Sequence, residues 1–255
     1  MRIRWAVWTL AVASFTATAG DWVSIPGGSF KSALRYEDAP AGQRVAEFQV
    51  MRTPVTNGDY LEFVRAHPEW RRGRAPVALA ESRYLATWRQ PLEPGSMAAK
   101  DQPVTWVSWF AANAYCESQR ARLPTWQEWE FVAAADESRR DARLDPAWRE
   151  RILGWYARPS NEALPAVGLA PPNAYGVQDV HGLVWEWVDD ASALLVSADD
   201  REQGSADRRR FCGAGALAMD DRDNYAILMR VAMLSSLEAA DATGNLGFRC
   251  ARSAP

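Results

Sequence analysis

Histidine is nearly absent from this chain of 255 residues and cysteine is scarce, with two of the first and three of the second. His67 and His181 are too few and too far apart in sequence for a paired-histidine helix motif of the kind that serves nonheme iron. The three cysteines, Cys116, Cys212 and Cys250, are an odd number, so an oxidising compartment would leave one pair and one thiol over. Basic charge is not in excess either, since the formal net charge is -3. That balance argues against nucleic acid or an anionic membrane surface as a partner. After the first residues there is no apolar run of the eighteen or more that a spanning helix needs, and no internal repeat.

The first residues themselves read as an export signal. Arg2 and Arg4 precede an apolar run from about Trp5 to Phe15, and Ala17-Thr18-Ala19 is a small-residue cleavage pattern. The expected plan is a signal over residues 1–19, cleaved near Ala19, and one domain over residues 20–255. Losing Arg2 and Arg4 takes the charge from -3 to -5. The mature chain is expected to be a soluble monomer of the periplasm, or secreted, without membrane contact after cleavage. A composition of 48% hydrophobic and 24% charged residues is enough for one substantial core.

Tryptophan is over-represented, with 13 residues. Trp106, Trp109, Trp126, Trp129, Trp185 and Trp187 fall at Trp-x-x-Trp or Trp-x-Trp spacing. Large rings filling the core of a fold with little regular structure account for them, each indole N–H bonded to a loop carbonyl. Thr56-Asn-Gly-Asp59 reads as a helix N-cap followed by Tyr60, Phe63 and Val64 on one face. Ser108 can cap a helix carrying Trp109, Ala112 and Cys116, and Thr125-Trp-Gln-Glu128 is a capping box for another. Segments at about 69–102, 154–182 and 196–210 read as irregular.

Several motifs occur together in a distinctive order. Pro103-Val-Thr-Trp-Val-Ser-Trp runs on to Ala114-Tyr-Cys116, and Arg122-Leu-Pro-Thr-Trp-Gln-Glu-Trp-Glu130 follows. Ile25-Pro-Gly-Gly-Ser-Phe30 lies ahead of them, with Asn173-Ala-Tyr-Gly176, Gly182-Leu-Val-Trp-Glu-Trp187 and Gly244-Asn-Leu-Gly-Phe-Arg-Cys250 behind. On these motifs the chain resembles the formylglycine-generating enzyme, or sulfatase-modifying factor, family over nearly all residues after 21. The resemblance implies an α+β fold related to C-type lectin domains, with little regular secondary structure and long stabilising loops.

It also implies a disulfide between Cys116 and Cys250, worth about 4 to 5 kcal/mol in the chain-entropy model. Active family members bind copper(I) through two further cysteines just upstream of an arginine, which matches Arg230 here. Counting back from Gly-Phe-Arg-Cys250 gives this match and places the two cysteine positions at Asp221 and Ala226. Copper(I) prefers thiolate, and a carboxylate and a methyl group cannot replace two sulfurs. Formylglycine formation by the family's usual mechanism is therefore not expected.

The family's calcium would use carbonyls and side chains around Gly182–Trp187, where Leu183 stands at the Asn position and Glu186 is retained. Asn161 is the remnant of a second calcium loop. Copper and calcium are both carried forward as candidate cofactors, and His181, Glu186 and Cys212 as candidate metal ligands. His181 is open to either a ligand or a turn role. Cys212 is open to three: an inert thiol, a partner-facing redox thiol, or a copper ligand helped by Met219, Met229 or Met233. Glu130, Glu186 and Arg122 read as buried polar anchors, with Arg249 and Asn245 in the structural end segment.

Exported relatives associated with copper nitrite reductases set the leading functional expectation. It is a noncatalytic accessory or maturation factor for a periplasmic metalloenzyme, with a protein or peptide as partner. The alternative is a divergent metal-dependent oxidoreductase built on Asp221, Asp223, His181 or Cys212.

Overall fold

The computed structural model describes residues 21–32, 43–156, 163–191 and 225–254. The expected signal, Asn161, Cys212, Met219, Asp221, Asp223 and the segment at 196–210 all lie outside the described residues.

Both ends of the described chain meet in one antiparallel sheet. Strand β1 (Trp22–Ile25) pairs with β4 (Phe48–Met51), which pairs with β9 (Ala251–Ser253), in the order β1-β4-β9. Alternation sets its faces: Val23 and Ile25 oppose Val50 and Phe48 on the buried side, while Gln49 donates to Ser24 Oγ on the other. Two hairpins, β2 (Gly28–Phe30) with β3 (Gln43–Val45) and β5 (Trp88–Gln90) with β6 (Glu93–Pro94), add local edges. The second hairpin lies inside the segment read as irregular at 69–102.

All three helices expected from capping signals form where their caps stand. In α1 (Asn57–Ala66) Thr56 and Asp59 make a reciprocal capping box, and Tyr60, Leu61, Phe63 and Val64 are buried. His67 ends that helix, exposed, with Nδ1 facing Glu69. Ser108 caps α2 (Trp109–Ser118) by accepting from Ala111 N, and Thr125 and Glu128 close a second capping box on α3 (Trp126–Ala133). A fourth helix, α4 (Pro146–Tyr156), was not expected and overrides the irregular reading at 154–156. Its signal was Asp145-Pro146: the Asp145 carboxylate accepts from Ala147 N, and proline suits a first turn. The fifth, α5 (Tyr225–Ser235), lies in the region where resemblance places the copper ligands. None of the described helices is long and apolar enough to cross a membrane.

Two strands of two residues do the most to build the interior. Strand β7 (Trp185–Glu186) runs parallel to β8 (Leu246–Gly247) and joins the Trp-Glu-Trp motif to the Gly-Asn-Leu-Gly-Phe-Arg-Cys motif. Gly247 is required there, because a Cβ would stand 2.6 Å from the Val104 carbonyl oxygen. The large buried rings include Trp88, Trp126, Trp129 and Trp187. Their indole partners are mixed. Trp187 and Trp109 do donate to the Val107 and Val188 carbonyls, but Trp88, Trp126 and Trp129 donate to Asn57, Glu130 and Glu186 side chains.

Cys116 of α2 and Cys250 before β9 form the disulfide, with Cα atoms 5.5 Å apart and both residues fully buried. It closes a loop over a sequence separation of 134 residues. Beside it, Arg122 and Ala251 exchange two backbone hydrogen bonds. A Cys116→Ser variant is expected to lose about 5 kcal/mol under oxidising conditions, read as a large fall in melting temperature. An unchanged melting temperature would contradict a stabilising role for the bridge.

Candidate functional site

A buried ion pair organises the interior next to α5. Glu186, with no exposed surface, accepts from Arg249 Nε at 2.9 Å, Arg249 Nη2 at 2.7 Å and Trp129 Nε1 at 3.0 Å. Arg249, 1% exposed, spends its other N–H groups on the carbonyls of Met51, Arg52 and Gln178. One guanidinium thereby joins β4, the loop before β7 and β7 itself. This completeness makes a buried charge tolerable, since an unpaired one costs several kcal/mol.

Trp129 is the hub of the next layer. The Arg230 guanidinium lies 3.5 Å from its ring centroid, close enough for a strong cation–π contact, and donates to the Glu186 carbonyl at 2.5 Å. Burial pushes Arg230 down to about 10. The His181 ring meets the Trp129 and Trp148 rings edge-on, each at 5.6 Å. His181 Nε2 sits 2.9 Å from the Ala133 carbonyl oxygen, so Nε2 carries the proton and Nδ1 is a bare acceptor. Tyr156 stacks on Trp185 at 4.7 Å, and burial pushes its hydroxyl up to about 12. The Tyr156 hydroxyl, His181 Nδ1 and Arg230 Nε are buried and have no hydrogen-bond partner among the described residues.

Beside this layer a cavity of about 260 Å³ opens between α4, the end of α3 and residues 170–182. Trp148, Ile152 and Trp155 supply its α4 wall, and Asp136, Asp179 and His181 face them. Asp179 holds a left-handed φ of 58°, and burial raises its carboxyl. Gly182 follows at φ 98°, where a side chain would be strained.

Of the residues expected at a site, the structure brings His181 and Glu186 to the same tryptophan but to no common ligand position. Both Glu186 oxygens are taken by Arg249 and Trp129, as an anchor requires and a metal ligand does not. Glu130 is likewise an anchor, fully buried and accepting from Trp126 and Ser32. Arg122 is not buried as expected: it is half-exposed, in a two-pronged pair with Glu128. Asn245 accepts from the Thr243 hydroxyl in its turn. Met229 is 39% exposed, and Met233 packs against the core. The ligand sets that resemblance supplies do not fit their metals. Leu183 offers buried hydrocarbon where calcium needs oxygen. For copper(I), Cys116 and Cys250 are spent in the bridge and Ala226 stands in the first turn of α5. Among the described residues no three of His, Cys, Asp and Glu group as a metal site. Sequence reasoning missed α4 and the role of Trp129, whose indole had no marked partner in the chain.

The family profile of the sulfatase-modifying factor enzyme 1-like domain matches residues 9–254. The chain belongs to this family. It is 31% identical to the inactive C-alpha-formylglycine-generating enzyme 2 of Mus musculus, over 91% of this chain and 85% of that one. Identity is also 31% to the formylglycine-generating enzyme of Streptomyces coelicolor, over 91% and 89%. Similarity to the hercynine oxygenase of Mycobacterium tuberculosis, again 31%, spans 56% of this chain and 37% of the other. The solved structure of PvdO from Pseudomonas aeruginosa shares the fold, with a TM-score of 0.50 at 20% identity over 91% and 94% of the two chains.

Two outcomes follow for this family member. Replacing Glu186 by Ala leaves Arg249 buried and unpaired, and is expected to cost about 3–5 kcal/mol in urea unfolding. A loss below 1 kcal/mol would contradict the pair's central place. Burial also holds His181 down to about 4 from an ordinary 6.5. The unfolded chain takes up this proton before the folded one does. The stability due to neutral His181 is therefore complete above about 6.5, falls with pH through that window and levels off below about 4. The urea midpoint gap between the natural chain and a His181→Gln variant should narrow from pH 7.5 to 4.5, whereas a constant gap would contradict it.

Proposed function

We propose that this family member is an exported protein without formylglycine-generating activity, acting as an accessory or maturation factor for a periplasmic metalloenzyme. One observation carries the reading: where active relatives place two copper-binding cysteines, this chain has Asp221 and Ala226. Similarity to relatives described as inactive, from Mus musculus and Bos taurus at 31% and 29% identity, points the same way. What remains is a disulfide-tied scaffold with an intact interior, suited to binding rather than to oxygen chemistry. The N-terminal signal pattern supports export, and the negative net charge suits a protein or peptide partner rather than nucleic acid.

A divergent metal-dependent oxidoreductase would draw on the hercynine oxygenase similarity. Of its candidate ligands, Glu186 is weakened by its engagement with Arg249, whereas the bond from His181 Nε2 to Ala133 leaves Nδ1 as an acceptor.

The test uses the mature chain from a periplasm supplied with copper, iron and calcium, with Cys212→Ser as control. Incubation with a cysteine-containing sulfatase peptide is expected to give no formylglycine by mass spectrometry, and elemental analysis is expected to show less than stoichiometric copper and iron. Formylglycine product, or stoichiometric copper lost in Cys212→Ser, would overturn the reading.

A further inference from the structure

The last residues of the chain lie at its centre. Leu246, Phe248, Cys250 and Ala251 have no exposed surface. The Phe248 ring meets those of Tyr60 and Tyr115 edge-on, with centroids 6.2 and 5.3 Å away. Main-chain bonds of this segment reach far back in the sequence. The Phe248 carbonyl accepts from Val55 N and the Cys250 carbonyl from Met51 N, while those of Asn245 and Gly247 accept from Trp185 N and Trp187 N. Ala251 exchanges two bonds with Arg122, and β9 then completes the sheet on β4. The core therefore cannot close before this segment arrives, and such distant contacts cost loop-closure entropy before they return any stability.

The non-covalent ties on the segment are individually modest. Strands β7 and β8 have two residues each, too short to hold a pair by themselves. A buried ion pair largely offsets its own desolvation, so Glu186–Arg249 adds little net hold. The covalent tie is Cys116–Cys250, across 134 positions. The stabilisation given above for this bridge is a large share of the whole net stability of an ordinary domain. Both cysteines are fully buried once it has formed, so a reductant in solution does not reach the closed bridge.

We propose that the bridge is a redox gate on folding: the reduced chain does not hold its core, and oxidation of Cys116 and Cys250 locks the terminal segment into place. A donor disulfide takes up the two electrons. The thiolate of one cysteine attacks it to form a mixed disulfide, and the thiolate of the other attacks that to form the Cys116–Cys250 bond. The donor leaves as two thiols, carrying the two protons that the cysteines give up. An oxidising compartment supplies such a donor and a reducing one does not. The gate goes beyond the accessory reading and does not depend on it.

The full mature chain carrying Cys212→Ser, in which only one bridge can form, tests it by near-ultraviolet circular dichroism and urea unfolding at about 37 °C. The oxidised chain is expected to show an ordered tryptophan signal and a cooperative transition. After unfolding in urea with dithiothreitol and dilution into dithiothreitol alone, it is expected to show neither, and to regain both when the reductant is exchanged for glutathione disulfide. A Cys116→Ala, Cys250→Ala double variant, which removes both thiols and buries only methyl groups, should match the reduced chain with or without the oxidant. A reduced chain, or a double variant, with the tryptophan signal and the cooperative transition of the oxidised chain would overturn the gate. The two readings fail separately. A folded reduced chain would remove the gate and leave the accessory role, whereas formylglycine product from the oxidised chain would remove the accessory role and leave the gate.

Discussion

The Glu186–Arg249 pair sits where β4, β7, the segment after β8 and α3 meet. Glu186 belongs to β7 and Arg249 follows β8, so the pair seals the parallel strand contact that those two short elements could not hold alone. Arg249 also gathers carbonyls from Met51, Arg52 and Gln178, tying the central sheet to the loop before β7. Two charges withdrawn from water are tolerable only because each N–H and each oxygen has a partner. The Trp129 indole completes the set, and that fixes α3 as well.

From that pair outward the interior becomes less fully satisfied. Among the described residues Arg230 meets one carbonyl and a tryptophan face, and its Nε has no partner there. His181 and Tyr156 likewise leave a polar atom unmet. These three atoms lie around the Trp129 and Trp185 rings. The Glu186–Arg249 anchor is complete without any residue of this outer layer except Trp129.

Helix α4 shapes the remaining concavity. Trp148, Ile152 and Trp155 face the cavity, while Tyr156 turns to Trp185 and so links the cavity wall to β7. One helix thus contributes both to the aromatic layer around His181 and to the wall of the cavity.

The sequence by itself determined the family and three helices, and it placed Arg249 in the end segment without showing its role. Local capping chemistry is written over four residues, so Thr56, Ser108 and Thr125 announced their helices without tertiary help. Motif order carried the Cys116–Cys250 pairing, which no local signal marks. Only the tertiary structure decided what the polar residues do. Glu186 could have been a ligand or an anchor until Arg249, 63 positions away, was seen to hold it. His181 gained its tautomer from the Ala133 carbonyl, and Arg122 stayed half-exposed because Glu128 meets it at the surface. The role of such a group is set by which donors and charges surround it once water is excluded, and those neighbours come from distant parts of the chain.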